Sequence, residues 1–163
     1  MRIGVYAGSF DPITKGHFDV IKKSLKIADK VIVAVMINNN KKCWFSLEER
    51  ENMIKTLVEE FGDKVEVRRF DGLLIDFMNK YNANIIIRGL RAVSDFEYEL
   101  GYAFVNHDLS YGEIDTVFIP AAREYMYLSS SAVREAATVG ARLDIFVDER
   151  LIEVIEKKAK SLK

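Results

Sequence analysis

Ile3-Gly4-Val5-Tyr6-Ala7-Gly8-Ser9-Phe10-Asp11-Pro12-Ile13-Thr14-Lys15-Gly16-His17 is the passage whose reading decides the fold. The short apolar run Ile3 to Ala7, ended by Gly8, reads as a buried strand, and the stretch from Phe18 to Ile27 is amphipathic at helical spacing. His17 therefore falls in the first turn of the helix. There an imidazole and unpaired backbone N–H groups can face one anion, with the positive end of the helix dipole behind them. Gly16 is expected to let a phosphate approach that backbone closely. A strand, a loop and a helix start carrying these residues form a phosphate site.

Four further apolar, β-branched runs follow, Val31 to Ile37, Val65 to Phe70, Ile85 to Ile87 and Thr116 to Ile119, separated by longer helix-like stretches. That alternation predicts an α/β fold in one domain over 1–163: a Rossmann-like, open, parallel five-stranded sheet with helices on both faces. Ser46-Leu47-Glu48-Glu49 and Ser94-Asp95-Phe96-Glu97 each match a capping box and mark helix starts behind the second and fourth strands. From Ser129 onward the pattern predicts a C-terminal segment of two helices broken near Gly140, the second from about Asp148 to Lys160. Lys157, Lys158 and Lys160 are expected to be a solvated end that complements the helix dipole.

A length of 163 residues allows a real core, and 49% hydrophobic with 30% charged residues is the composition of a soluble globular protein. With a net charge of -1 and mixed signs, no footprint for duplex nucleic acid is present. A single cysteine, Cys43, excludes an intramolecular disulfide and Cys-rich zinc spacings, which fits a reducing cytoplasm. No signal-peptide core or apolar run of membrane-spanning length is found, so neither a membrane nor a nucleic acid is an expected partner.

Anion-friendly groups recur in the loops after strands: His17 after the first, Lys41 and Lys42 after the second, Arg88 and Arg91 after the fourth, and Ser129-Ser130-Ser131 after the fifth. In an open parallel sheet such loops share one edge, so these groups can converge on a polyphosphate. Arg88 directly follows Ile85-Ile86-Ile87 and is expected to leave a buried strand at its carboxyl end, either paired with Asp95, Glu97 or Glu99 or gripping a phosphate in a bidentate fashion. Three successive serines exceed what one helix cap needs, which leaves hydroxyls for a phosphate. His107 has no partner at metal spacing, and Cys43 has no accompanying base. Trp44 and Phe45 are expected to pack the entry to the next helix. The chain lacks G-x-x-x-x-G-K-[ST] and lacks G-x-G-x-x-G after the first strand, which counts against kinase and dehydrogenase readings.

Gly8-Ser9-Phe10-Asp11-Pro12 with Thr14-Lys15-Gly16-His17 resembles the T/H-x-G-H signature of the nucleotidyltransferase superfamily. Lys41-Lys42 before Phe45-Ser46-Leu47-Glu48-Glu49-Arg50, the run Arg88-Gly89-Leu90-Arg91-Ala92-Val93-Ser94-Asp95-Phe96-Glu97-Tyr98-Glu99, and Ser129-Ser130-Ser131 extend this likeness. End to end the chain resembles the phosphopantetheine adenylyltransferase family. Ser9 stands where that family commonly has Thr, and Cys43-Trp44 where it usually has Pro and a smaller apolar residue.

The resemblance implies adenylyl transfer from ATP to 4′-phosphopantetheine, giving dephospho-coenzyme A and pyrophosphate, with Mg2+, in a homohexamer, and with coenzyme A as a feedback inhibitor. It implies His17, Lys41 and Arg91 as catalytic residues, and Ser9, Lys41, Leu73, Leu74 and Arg88 at the acceptor. For ATP it implies Ser9, Phe10, His17, Gly89, Leu90, Arg91, Glu99, Tyr125, Met126, Tyr127, Leu128, Ser129, Ser130 and Ser131. No protein ligands for magnesium are expected, because ATP oxygens and water would hold it. The acceptor phosphate is itself a nucleophile, so direct in-line attack requires neither a covalent intermediate nor a strong base. Alternatives are a relative acting on nicotinamide mononucleotide or glycerol 3-phosphate, or a non-catalytic ATP-binding regulatory module.

Overall fold

In the computed structural model, which describes residues 1–37 and 42–162, the apolar runs become strands β1 (Ile3–Gly8), β2 (Lys30–Met36), β3 (Val65–Phe70), β4 (Ile85–Leu90) and β5 (Asp115–Pro120). All pair in parallel, in the order β3-β2-β1-β4-β5. Between and after them run α1 (Lys15–Ser24), α2 (Leu47–Val58), α3 (Leu74–Lys80), α4 (Val93–Leu109), α5 (Ser130–Thr138) and α6 (Glu149–Ser161). Lys41, expected in the site, lies outside the described residues.

Strand alternation divides the core into two layers. Tyr6, Val31, Val33, Val35 and Ile87 face α1, α2, α5 and α6, which bury Val20, Ile21, Ile54, Leu57, Val133, Leu151 and Ile155 against them. Val5, Ala7, Ile32, Ala34 and Ile86 face α3 through Ile75, Phe77 and Met78. Beside α3, α4 reaches β5 through Phe96, whose ring meets Phe118 edge to face at 5.6 Å. The expected five-stranded parallel sheet with helices on both faces is thus present. Among the described residues no helix is long and apolar enough to cross a membrane.

Element boundaries show where local signals succeed. Ser46 forms its capping box: Ser46 Oγ accepts from Glu49 N at 3.1 Å, and Glu49 Oε2 accepts from Ser46 N at 2.6 Å. Ser94, expected as an N-cap, lies inside the helix instead. Helix α4 starts at Val93 with Ala92 as its N-cap and no side-chain cap. Asp95 instead reaches back to the backbone N–H of Arg91 at 3.3 Å, so it serves the residue before the cap. Strand β4 does not stop at Ile87, because pairing with β5 continues through Arg88, Gly89 and Leu90. Gly140, at φ 71°, ends α5 in the left-handed conformation that favours glycine.

Lys158 is not part of a solvated end. It donates to both carboxylate oxygens of Glu49, at 2.8 and 3.1 Å, and its ammonium lies 5.2 Å from the centre of the Phe45 ring. Helix α6 thereby holds the glutamate that caps α2.

Phe77 is fully buried between the sheet and Phe70 and Tyr81. Phe77→Ala is expected to destabilise the chain by about 3–5 kcal/mol in chemical denaturation. A loss under about 1 kcal/mol, the scale of an ordinary surface change, would contradict this packing.

Candidate active site

The pairing of β1 with β4 ends at Tyr6 and Ile87, although both strands run further. A cleft of about 1410 Å³ opens there, at the carboxyl edge of the sheet where strand order changes direction. The loop after β1, the ends of β4, the start of α5 and one side of α4 line it.

The chain leaves β1 through Phe10, which has a left-handed φ of 48°, and a cis Asp11–Pro12 bond. The Phe10 ring is buried and packs edge to face on Tyr6 and on His17, each at 5.3 Å between centroids. These contacts hold a backbone conformation that costs a non-glycine residue about 1–3 kcal/mol. Thr14 then caps α1 in a reciprocal arrangement with His17. Thr14 Oγ1 accepts from His17 N at 3.3 Å, and His17 Nδ1 accepts from the Thr14 backbone N–H at 3.1 Å.

That second bond fixes the tautomer. A backbone N–H can only donate, so Nδ1 carries no proton and the neutral ring holds its hydrogen on Nε2. Burial first, and then the positive charges of Arg91 and Arg88, push the His17 pKa down to about 4. Neutral His17 is therefore a hydrogen-bond donor at the cleft. The phenol of Tyr6, beneath it, is pushed far up by burial and stays protonated.

Arg88 lies within β4 and not beyond it, opposite Phe118 of β5. Its Nε and Nη2 donate to Glu99 at 2.5 and 2.7 Å, and its Nη1 donates to the Ala7 carbonyl at 2.9 Å, across the gap where β1 and β4 part. Of the three carboxylates expected as partners, Glu99 is the one used. Burial works against the guanidinium charge, but the Glu99 pair more than offsets it and the pKa is raised. The second N–H of each terminal nitrogen remains for a phosphate. Arg91 pairs with Asp95 through Nε at 3.1 Å and reaches the Leu128 carbonyl at 3.1 Å, which links the end of β4 to the segment before α5.

The three serines divide their labour. Ser129 caps α5 by accepting from Ala132 N at 3.0 Å, Ser130 donates to the Pro12 carbonyl at 2.8 Å, and Ser131 accepts from Arg134 at 3.2 Å. Ser130 spends its O–H on Pro12, whereas Ser129 and Ser131 use only acceptor lone pairs, so among the described residues their O–H groups keep their donors, in keeping with the expectation of spare hydroxyl capacity. At the first two helical positions, the N–H groups of Ser130 and Ser131 have no intrahelical acceptor and remain for an anion. Gly16 lines the cleft. An added Cβ there would sit 3.5 Å from Tyr125 Cβ and 3.6 Å from Thr14 Oγ1, so the glycine faces the Tyr125 segment at ordinary contact distance.

Of the other residues expected at the site, Ser9, Phe10, Leu73, Leu74, Gly89, Glu99, Tyr125 and Leu128 line the cleft, as does Lys42. Leu90, Met126 and Tyr127 do not, and Tyr127 is almost fully exposed. His107 lies at the surface beside Asp115, its Nδ1 3.3 Å from the carboxylate. Phe45 is buried and packs the entry to α2 as expected.

Sequence reasoning missed Asp11, Arg50 and Arg134. Asp11 Oδ2 and Oδ1 accept from the backbone N–H groups of Trp44 and Phe45, each at 2.9 Å, and Arg134 donates to Asp11 Oδ2 at 3.2 Å and to the Asp11 carbonyl. Buried Arg50 donates to the carbonyls of Ser9 at 2.7 Å, Met36 at 3.3 Å and Ser46 at 3.3 Å. The one local signal was Asp11 itself, an acid between a buried strand and a helix start.

The description of the cytidylyltransferase-like family matches residues 5–136. A phosphopantetheine adenylyltransferase of Fusobacterium nucleatum is 51% identical over 160 residues, covering 98% of each chain. One of Clostridium perfringens is 49% identical over 163 residues, covering 100% of this chain and 98% of its own. Among solved structures, a bifunctional NMN adenylyltransferase/ADP ribose pyrophosphatase of Francisella tularensis, complexed with AMP and manganese, has the same fold with a TM-score of 0.73. It is 19% identical, and the match covers 99% of this chain and 51% of that one.

A buried imidazole held neutral has a consequence for stability. Because folded His17 titrates near 4 while an unfolded histidine titrates near 6.5, the unfolded chain binds the extra proton between these values. Stability is therefore expected to fall as pH drops from about 6.5 towards 4, with no contribution from His17 above that window. An NMR titration of the imidazole nitrogens should find Nδ1 unprotonated and a midpoint near 4. An ordinary midpoint with a protonated Nδ1 at neutral pH would contradict the cap geometry.

Proposed function

The chain belongs to the phosphopantetheine adenylyltransferase family, and from that we propose that it transfers the adenylyl group of ATP to 4′-phosphopantetheine, releasing pyrophosphate and forming dephospho-coenzyme A. The observation that carries the mechanism is the neutral, Nε2-protonated His17 set among Arg88, Arg91 and two helix starts. Such a group is suited to donating a hydrogen bond, not to taking a proton. The acceptor phosphate attacks the α-phosphorus of ATP directly, and the cleft supplies position and charge.

In this reading Arg88 turns its remaining N–H groups to the acceptor phosphate. His17 Nε2–H meets the charge developing on the α-phosphate. Arg91, with the N–H groups of Ser130 and Ser131, receives the β- and γ-phosphates and the departing pyrophosphate. Leu73 and Leu74, at the start of α3, take the apolar arm of the acceptor. Lys41 is assigned to the acceptor phosphate by family likeness alone.

Magnesium enters with ATP. Among the described residues no group of three or more His, Cys, Asp or Glu side chains could hold a metal ion. Asp95 and Glu99 in the cleft are already paired to Arg91 and Arg88. In this reading the ion comes with ATP, held by phosphate oxygens and water as part of the substrate. Exposed Phe104 on α4, outside the cleft lining, is in keeping with the hexamer expected of the family. Feedback by coenzyme A in a cytoplasmic setting completes the reading.

Pyrophosphate release from ATP is expected with phosphopantetheine and not with nicotinamide mononucleotide or glycerol 3-phosphate. Release with either of the latter alone, or none with any acceptor, would overturn the assignment. His17→Ala should lower kcat by roughly a hundredfold or more with modest change in either KM. Near-normal turnover would remove His17 from its role. Arg88→Ala should chiefly raise the KM for phosphopantetheine and Arg91→Ala that for ATP, and the reverse pattern would mean that the two phosphate positions are exchanged.

A further inference from the structure

Three segments must hold fixed distances from one another if two phosphates are to meet: the loop after β1, the segment before α2 and the start of α5. One carboxylate touches all three. Asp11 belongs to the first, accepts the Trp44 and Phe45 N–H groups of the second at 2.9 Å each, and pairs with Arg134 of the third at 3.2 Å. Arg134 also donates to the Asp11 carbonyl and to Ser131 Oγ, the latter at 3.2 Å, so the α5 branch ends on a residue of the triple serine. The Asp11 side chain is only 5% exposed, so the carboxylate meets little competing water.

We propose that Asp11 is a positioning residue that couples the acceptor side of the cleft to the ATP side, with Arg134 as the branch that serves ATP. This rests on the adenylyl-transfer reading above. Three N–H donors meet the two Asp11 oxygens, so the carboxylate serves as a junction between segments. It acts through what it holds. Removing it loosens the segment that follows Lys41 and Lys42 and weakens the hold on α5, whereas removing Arg134 weakens the hold on α5 alone. Arg50 fixes the carbonyls of Ser9, Met36 and Ser46 but donates to no residue of α5 among the bonds formed by described residues. Ser130 also ties α5 to the loop after β1 through the Pro12 carbonyl, but the connection from α5 to the segment before α2 runs through the Asp11 carboxylate.

The test is steady-state kinetics of Asp11→Asn, Arg134→Met and Arg134→Lys, with KM for ATP and for phosphopantetheine measured separately and the folded fraction fixed by thermal denaturation. Asp11→Asn is expected to raise both KM values and to lower kcat/KM by about a hundredfold, the scale of a displaced reacting group. Arg134→Met should raise the KM for ATP roughly tenfold and leave that for phosphopantetheine near wild type, since one charge-assisted link is lost. Arg134→Lys, which keeps a cation beside Asp11, should recover part of that loss.

Unchanged KM values with only a lower melting temperature would show a purely structural role and overturn the proposal. So would Arg134→Met raising both KM values equally. If Asp11→Asn does not fold, the Arg134 pair decides the matter by the same ATP-against-acceptor split. Wild type in the same assay reports on the underlying reading: no pyrophosphate from wild type overturns adenylyl transfer. Wild-type turnover with indifferent variants overturns the positioning role alone.

Discussion

Strands β1 and β4 stay hydrogen-bonded only as far as Tyr6 and Ile87, and everything distinctive about the site follows from that parting. Parallel strands deliver all their following loops to one edge, but a continuous ladder there would leave no room between them. Where the ladder stops, backbone groups of both strands face open space. The Arg88 guanidinium crosses to the Ala7 carbonyl and partly bridges the opening. A cation consequently sits at the head of the cleft, next to two helix starts whose dipoles have the same sign.

Concentrating positive charge in this way has a cost, and the molecule meets it with carboxylates. Glu99 and Asp95 neutralise Arg88 and Arg91 in the absence of ligand. Burial, together with the same two cations, suppresses protonation of His17, so the imidazole adds a polar N–H without adding a further charge. A neutral donor between two arginines can approach a phosphate that a third cation would only have tightened onto the enzyme before reaction. Differential stabilisation of a developing charge, and not ground-state grip, is what such a donor contributes.

Much of the fold was legible in the sequence because its signals are local. The five strands appeared as apolar runs, and the Ser46 box depends on residues three apart. Ser94 and Glu97 have the same spacing, yet the helix there starts earlier, at Val93. There the last pairing of β4 and the reach of Asp95 back to Arg91 set the helix start, and no short-range pattern contains that information. The cleft residues His17, Arg88 and Arg91 were legible for their charge and place, but the tautomer of His17 and the Glu99 partner required geometry. Asp11 with Arg134, separated by 123 residues, and Glu49 with Lys158, separated by 109, were invisible for the same reason.

The tie between Lys158 and Glu49 bears on how the chain acquires its cleft during synthesis. Glu49 and the capped start of α2 emerge early, yet the ammonium that secures them belongs to the last helix. Ser130 on Pro12 and Lys15 on the Asp144 carbonyl span comparable stretches. Closing such long intervals is slow compared with forming a helix or hairpin, and it cannot precede the arrival of the later partner. A nascent chain halted after β4 would hold its first four strands and no enclosed phosphate site. The ability to bind a nucleotide thus waits until α5 and α6 have folded back onto segments made long before them.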